Sequence, residues 1–242
     1  TLSLCRWPSL DQWYENKRFH PLPELARNTA TQAFEEAHRL NQILSDYLSD
    51  SELSRLSSNS GSSNFHRISK DLFRVLTASQ KLARETGGAF DITVGPFSRL
   101  WRIARFRKAL PSKAKLLKAQ SRVGYEKLIL DAKKKRAQLV ENAMVLDLGG
   151  IAKGYAADQM LSVIKGLGIK RCLIDAGGDL VIGEPPSGKK VGPLMWEVKS
   201  TIKFPNFYYQ IVRFQPPGIS SNFWKWMEPF ILISLIQGRP SA

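Results

Sequence analysis

Residues 143–158 read Ala143-Met-Val-Leu-Asp-Leu-Gly-Gly-Ile-Ala-Lys-Gly-Tyr-Ala-Ala-Asp158. A short apolar run, Ala143 to Leu146, ends in an acid at Asp147. Two glycines and a lysine follow, and then a helix with small residues on its first turn. Glycines remove the Cβ barrier, helix N–H groups point outward, and Lys153 adds positive charge, so a backbone of this kind can approach a phosphate closely. The GxxxxGK[ST] spacing of a Walker loop is absent, and so is GxGxxG. A Gly-Gly turn between strand and helix, taken alone, fits a packing turn as well as a ligand loop. Asp147 fits a functional acid at a strand end and equally a helix cap.

Working outward from this stretch, the chain alternates between helical and extended patterns. Ala30 to Leu44 reads as a helix with Ala33, Phe34, Ala37, Leu40, Asn41 and Leu44 near one face. Ser57 to Asn64 is a Ser/Asn/Gly loop. Ser69 caps a helix that carries Leu72, Phe73, Leu76 and Leu82 to a stop at Gly87-Gly88. Thr86-Gly-Gly-Ala-Phe-Asp-Ile-Thr-Val-Gly-Pro96 closes that helix and opens an extended stretch. Ser112 caps a further helix. Strands are expected near 127–131, 137–140 and 143–147, with Lys133-Lys-Lys-Arg136 as an exposed hairpin turn between the first two. A helix from Ile151 to Lys165 stops at Gly166, and strands follow at Cys172–Asp175 and Leu180–Ile182. The pattern predicts an α+β fold, with mixed or antiparallel sheets covered by helices.

Four ordered segments carry a resemblance. Ser51-Glu-Leu-Ser-Arg-Leu56, the Gly-Gly-Ala-Phe-Asp of residues 87–91, the Asp147 stretch, and Leu173-Ile-Asp-Ala-Gly-Gly-Asp-Leu180 together resemble the ApbE family of flavin transferases over about residues 30 to 200. The resemblance implies an ApbE-like fold and transfer of FMN from FAD to a Thr hydroxyl of a target flavoprotein, with Mg²⁺ assisting and AMP leaving. It implies that Asp147 and Lys153 contact FAD, and that Ala89, Phe90 and Asp91 line the flavin pocket. It further implies that Tyr47 touches the flavin, that the Gly150 carbonyl coordinates Mg²⁺, and that Gly177, Gly178 and Asp179 form fold and pocket-wall positions. Read without the family, Phe90 is a core side chain, Lys153 a solvated lysine, and Asp91 a hydrogen-bond acceptor either for a ligand or for the Gly-Gly turn.

The resemblance divides the chain into an atypical N-terminal segment at 1–28, a transferase-like domain at 29–200 and a divergent tail at 201–242. The family opens with a Met-Gly-Thr strand, of which residues 1–28 contain nothing, and Ser57 stands where the family has Asn. Beyond Trp196 the family's late segments are missing. Residues 197–242 contain no Asp, and the Asp and Thr that ligate the family's metal have no counterpart there. The expectation is a C-terminally incomplete fold that transfers FMN very slowly or not at all, its tail reflecting a changed reading frame or a degenerate copy. Two alternatives stand beside transfer: a non-catalytic FAD-binding remnant, or a homologue that hydrolyses FAD to FMN and AMP.

Composition bounds the remaining classes. The chain has 242 residues, 43% of them hydrophobic, and a formal net charge of +15. The hydrophobic share is that of a packed globular protein. The charge suits nucleic acid, anionic lipid or phosphate-rich ligands. Arg99, Arg102, Arg105, Arg107 and Lys108 interleave with Trp101 and Phe106, a pattern that can stack single-stranded nucleic acid. No recognised nucleic-acid motif accompanies it, so a basic nucleic-acid-binding protein is the third alternative and no specific nucleic-acid partner is expected. Cys5 and Cys172 make no disulfide framework. Thr1-Leu-Ser-Leu-Cys-Arg6 lacks an initiator Met and a long apolar stretch, so the chain is expected to begin inside a longer product. The resemblance implies a cell-envelope location at the periplasmic side of the inner membrane, with membrane association through an N-terminal lipid anchor. Cys5 has no apolar run before it and is not read as that anchor. Phe230 to Ile236 is apolar but far short of the ~20 residues of a membrane helix.

Overall fold

Ser51 and Ser69 each begin a helix by the same device. Ser51 precedes helix α2 (Glu52–Ser58), in extended backbone, and its hydroxyl accepts from the Ser54 N–H. Ser69 does the same for the Leu72 N–H at the start of α3 (Lys70–Glu85), the cap the sequence predicts. Glu52 links the two caps, its Oε1 accepting from the Ser69 N–H at 2.6 Å. Helix α3 stops at Gly87-Gly88, both in the left-handed region, and the Gly88 N–H returns to the Ala83 carbonyl.

The computed structural model describes residues 24–176 and 179–184, and the backbone of 201–204, 207–210 and 231–235. The architecture is α+β. Preceding α2 is α1 (Glu24–Leu44), six residues longer at its start than the pattern from Ala30 suggests. After α3 come α4 (Gly95–Arg107), α5 (Lys113–Gln120) and α6 (Ala152–Gly166). The strands with described neighbours are β1 (His66–Arg67), β2 (Leu128–Asp131), β3 (Arg136–Leu139), β4 (Cys172–Ala176) and β5 (Leu180–Ile182). Three more, β6 (Thr201–Phe204), β7 (Phe207–Gln210) and β8 (Ile231–Leu235), lie in the tail. Among the described residues no helix is long and apolar enough to cross a membrane. The atypical segment 1–28 lies outside the described residues up to position 23, as do Gly177 and Gly178.

The chain divides into two units. Among the described residues, the first is Arg39–Ala152. Its sheet has the order β1-β3-β2, antiparallel throughout, with Asp131 opposite Arg136 across the expected lysine turn. Ala137 and Leu139 point inward from β3 and join Leu53, Leu56, Leu72, Val75, Leu76, Leu146 and Leu148 among the buried residues. Gln80 of α3 fastens helix to sheet by donating to the carbonyls of Tyr125 and Leu128.

The second unit holds the described residues up to His38 and from Lys153 onward. Its core is a stripe of small residues on α1, Ala26, Ala30, Ala33 and Ala37, against Ala157, Met160 and Ile164 of α6 and Cys172, Ile174 and Ala176 of β4. The alanines let α1 approach closely, and alternate residues of β4 face inward. Strand β4 pairs antiparallel with β5 and parallel with β8. The apolar run in the tail is thus a sheet strand.

Two expectations need correction. The segment 143–147 is not a ladder strand. It makes a single parallel bridge, Val145 to Val94, and is otherwise held by Leu146 N–H on Ser57 Oγ at 3.2 Å and Asp147 N–H on the Ile92 carbonyl at 2.8 Å. The stretch after Thr86 does not stay extended, because Gly95-Pro96 opens α4. Proline is compatible with a first helical turn, where its missing N–H has no partner to lose. Gly95 is required there by proximity, since a Cβ would sit 2.4 Å from the Val145 carbonyl oxygen.

Candidate active site

Within the first unit, four segments meet around a cavity of about 470 Å³. Asp46 and Tyr47 come from the turn after α1, Ala89 to Ile92 from the loop after α3, Val94 and Arg102 from the start and body of α4, and Asp147, Gly149 and Gly150 from the turn before α6. Each segment has a local reason for its place. Ser45 Oγ accepts from the Tyr47 N–H and the Ser45 carbonyl accepts from Ser51, which fixes the turn carrying Asp46 and Tyr47. Asp91 Oδ1 accepts from both the N–H and the hydroxyl of Thr93, and Thr93 Oγ1 in turn accepts from the Gly124 N–H. Asp147 Oδ1 accepts from the Gly149 N–H at 2.9 Å, which bends the chain into the Gly-Gly turn.

The electrostatic centre is Arg102. Its Nη2 lies 2.6 Å from Asp46 Oδ2 and 3.3 Å from Asp147 Oδ2. Its Cζ stands 4.1 Å from the centroid of the Tyr47 ring. Partial burial opposes the guanidinium's charge, but the hydrogen bond and field of Asp46, with Tyr47 and Asp147 adding to it, hold the pKa above its ordinary value. One cation thus offsets two carboxylates and stacks on an aromatic face.

Of the residues singled out in the sequence, Tyr47, Ala89, Phe90, Asp91, Asp147 and Gly150 line this cavity together. Phe90 is half-buried rather than core, and Tyr47 is half-exposed. Asp91 bonds Thr93, not the Gly-Gly turn. Lys153 does not line the cavity. It sits in the first turn of α6, in the second unit, 2.9 Å from Asp179 Oδ2. Sequence reasoning missed Asp46 and Arg102. Asp46 had a signal, an acid directly before the aromatic in Leu44-Ser-Asp-Tyr47. Arg102 had none, because it hides in a run of surface arginines.

Donors for a divalent cation are sparse. Among the described residues no three of His, Cys, Asp or Glu gather as a metal cluster. Asp46 gives one oxygen to Arg102, Asp147 gives one to Arg102 and the other to the Gly149 N–H, and Asp91 gives one to Thr93, so the second oxygens of Asp46 and Asp91 and the exposed backbone of Gly149 and Gly150 are the remaining oxygen donors.

Comparison with known proteins supplies the wider context. The ApbE family model matches residues 12–216. The FAD:protein FMN transferase of Haemophilus influenzae is 31% identical over 163 residues, 66% of this chain and 46% of that protein. The Escherichia coli K12 protein of the same name is 29% identical over 144 residues, covering 58% and 41%. The chain spans about half the length of the curated relatives it matches. Among solved structures, the ApbE protein of Thermotoga maritima superposes with a TM-score of 0.61 at 28% identity, covering 67% of this chain and 53% of that one. The flavin transferase ApbE of Vibrio cholerae shares the fold, at a TM-score of 0.61 and 24% identity over 68% and 54% of the two chains. The chain belongs to the ApbE family.

Proposed function

We propose that this member of the ApbE family binds FAD in the Tyr47–Asp147 cavity, at the site of an FAD:protein FMN transferase whose transfer step is slow in this chain. The observation that carries the reading is the convergence of Tyr47, Phe90, Asp91, Asp147 and Gly150 on one cavity, from segments far apart in sequence. Curated relatives of the chain bear that name.

Each side chain has a chemical part in this reading. Tyr47 and Phe90 offer apolar faces to a flavin ring. The Gly149-Gly150 turn presents backbone without side chains, so a diphosphate can come close. Asp147 shapes that turn through the Gly149 N–H. Arg102 brings positive charge to a wall that otherwise carries the carboxylates Asp46 and Asp147. Transfer forms a bond between the acceptor's hydroxyl oxygen, a Thr by family resemblance, and the FMN phosphorus. The bond from that phosphorus to the AMP oxygen breaks and AMP leaves, while the hydroxyl's O–H bond breaks and its proton passes to solvent.

The Mg²⁺ that the family implies does not fit the donors among the described residues. The Gly150 carbonyl is available, but Asp46 and Asp147 already share the Arg102 cation, which opposes a second positive charge beside them, and Mg²⁺ sites usually hold the ion with one or two carboxylates plus substrate phosphates. Binding of FAD without efficient transfer, or slow hydrolysis to FMN and AMP, is the second reading, favoured by the absence of Asp from residues 197–242. Work at the periplasmic side of the inner membrane, with anchoring by an N-terminal lipid, belongs to the first reading and rests on family resemblance.

Titration of FAD fluorescence with the purified chain tests the site. Saturable binding that weakens in Asp147→Ala supports it. Binding absent in the folded wild type, or equal in wild type and variant, removes it.

A further inference from the structure

From Ile92 to Tyr125 the chain contains no Asp or Glu and nine Lys or Arg. This span builds α4 and α5, which contact one another in the first unit. Arg102 alone among the nine turns to the cavity carboxylates. Among the described residues, the other eight enter no ion pair. The same span carries the most exposed large apolar side chains of the described residues. Phe106 is 89% and Leu110 83% exposed, and Trp101, Ile103 and Leu117 are each half-exposed or more.

On α4 their spacing gathers apolar and basic side chains on one flank. Ile103 and Phe106 are three residues apart on α4, with Arg99 one turn before Ile103, so all three share one flank. Ala104, on the opposite side of the helix, is buried. On α5, Leu117 stands one turn after Lys113. Leu110 lies in the connection between the two helices. Apolar tips ringed by cations are the pattern of a helix that lies in a membrane interface.

We propose that the α4–α5 face is a membrane-surface contact, seating Ile103, Phe106, Leu110 and Leu117 below the headgroups of an anionic bilayer. Charge complementarity names the occupant: eight unpaired cations with no acid in the span suit anionic headgroups. The aliphatic side chains separate a bilayer from single-stranded nucleic acid, because Ile103, Leu110 and Leu117 have no ring on which a base could stack. The proposal does not depend on flavin binding.

Vesicle flotation of the 242-residue chain tests it. The probes are vesicles of phosphatidylcholine alone and of phosphatidylcholine with about one-third phosphatidylglycerol, whose anionic surface supplies the attraction. The chain should float with the anionic vesicles and not with the neutral ones. At about fivefold per basic residue, Arg105→Gln with Arg107→Gln should lower affinity at least tenfold. Ile103→Ser with Phe106→Ser, which leaves charge unchanged, should also lower it about tenfold or more. Lys133→Gln with Lys134→Gln removes the same charge from the hairpin turn and should change it less than twofold. All six positions are exposed, and thermal melts of each variant compared with wild type establish that the fold is kept. If the hairpin variant loses as much as the α4 variant, the binding is adsorption by net charge and the proposal fails. If the serine variant binds as well as wild type, no apolar insertion occurs and it fails. If a single-stranded oligothymidylate displaces the chain from vesicles and holds the serine variant as tightly as wild type, the face is a nucleic-acid surface.

Discussion

Arg102 covers the ring of Tyr47, with its Cζ 4.1 Å from the ring centroid, while its Nη2 reaches Asp46 and Asp147. The arginine therefore sets both the posture of the aromatic and the net charge of the wall. Without it, two carboxylates face the space where an anionic diphosphate would lie. Desolvation makes such like-charge proximity costly, so the pair and its cation form one unit.

Arg102→Gln should weaken FAD binding about tenfold or more, since a lost interaction with a charged group is worth about 1.5–3 kcal/mol. The added variant Asp46→Asn should recover part of the loss by removing one of the exposed negative charges. Fluorescence titration of the single and double variants at two salt concentrations checks this. A double variant no better than the single one would show that Arg102 acts on FAD by contact and not by offsetting the carboxylates.

Asp147 has two partners, and its substitution should be read through both. Asp147→Ala loses the Gly149 N–H bond at 2.9 Å and one of Arg102's carboxylates. Asp147→Asn keeps an acceptor for Gly149 but not the charge. If the turn is what matters, Asn should bind FAD within a few fold of wild type and Ala about tenfold or more below it, by the magnitude of a hydrogen bond lost from a charged group. Isothermal titration of the three proteins distinguishes the cases. Equal losses in both variants would assign the effect to charge.

Much of this site was legible because its residues announce themselves by local chemistry. Gly87-Gly88 needs the left-handed region, Ser69 needs a helix to cap, and Asp147 before Gly-Gly needs a turn to bend. What the sequence hid was long-range. Helix α4 begins at Gly95-Pro96, a pair that reads as a break unless the backbone of Val145 is known to lie against it. Arg102 looks like its surface neighbours until α4 turns it toward Asp46. The 143–147 run has strand composition, yet its N–H groups go to Ser57 Oγ and the Ile92 carbonyl in place of a ladder. Ser57 is thus a buried hydroxyl that holds the segment leading to Asp147.

Lys153 and Asp179 give a separable test of the lysine. They pair at 2.9 Å, each partly exposed, so the pair contributes at most about 1 kcal/mol to stability. If Lys153 serves FAD, Lys153→Ala should lower affinity, and Asp179→Asn, which releases the lysine, should hold or raise it. If the lysine serves only the pair, both variants should melt a little lower and bind FAD as wild type does. Melting curves and fluorescence titration on the same samples decide.

The β2–β3 hairpin carries a pH signature. The hydrogen bond from Arg136, with the Lys134 N–H behind it, holds the Asp131 carboxyl below its usual pKa. A carboxylate with a lowered folded pKa adds stability that is present above the unfolded value, about 3.9, and is lost as pH falls through the folded one. Asp131→Asn should therefore lower the melting temperature slightly at neutral pH, and the gap to wild type should close in strong acid. A gap that stays constant across that range would assign the effect to packing and not to charge.

The last prediction concerns activity. Transfer of a phosphoryl group needs its developing charge offset, and removing such stabilisation costs several kcal/mol of barrier. In this chain Asp46 and Asp147 are tied to Arg102, and residues 197–242 bring no Asp to the reaction. A magnesium ion beside Gly150 would have to share those carboxylates with the Arg102 cation, which makes a poor magnesium site. We therefore expect FAD binding with transfer that is very slow or absent. The assay is covalent flavin on an acceptor peptide containing a Thr, read by in-gel fluorescence with and without Mg²⁺, with liberated AMP measured in parallel. A chimera that carries the late segments of a relative after Trp196 should gain labelling while its FAD affinity stays near that of the parent. Binding with no labelling in either protein would point to a binding remnant, and AMP release without labelling to hydrolysis. Strong Mg²⁺-dependent labelling by the unaltered chain would mean that residues outside those described here hold the metal.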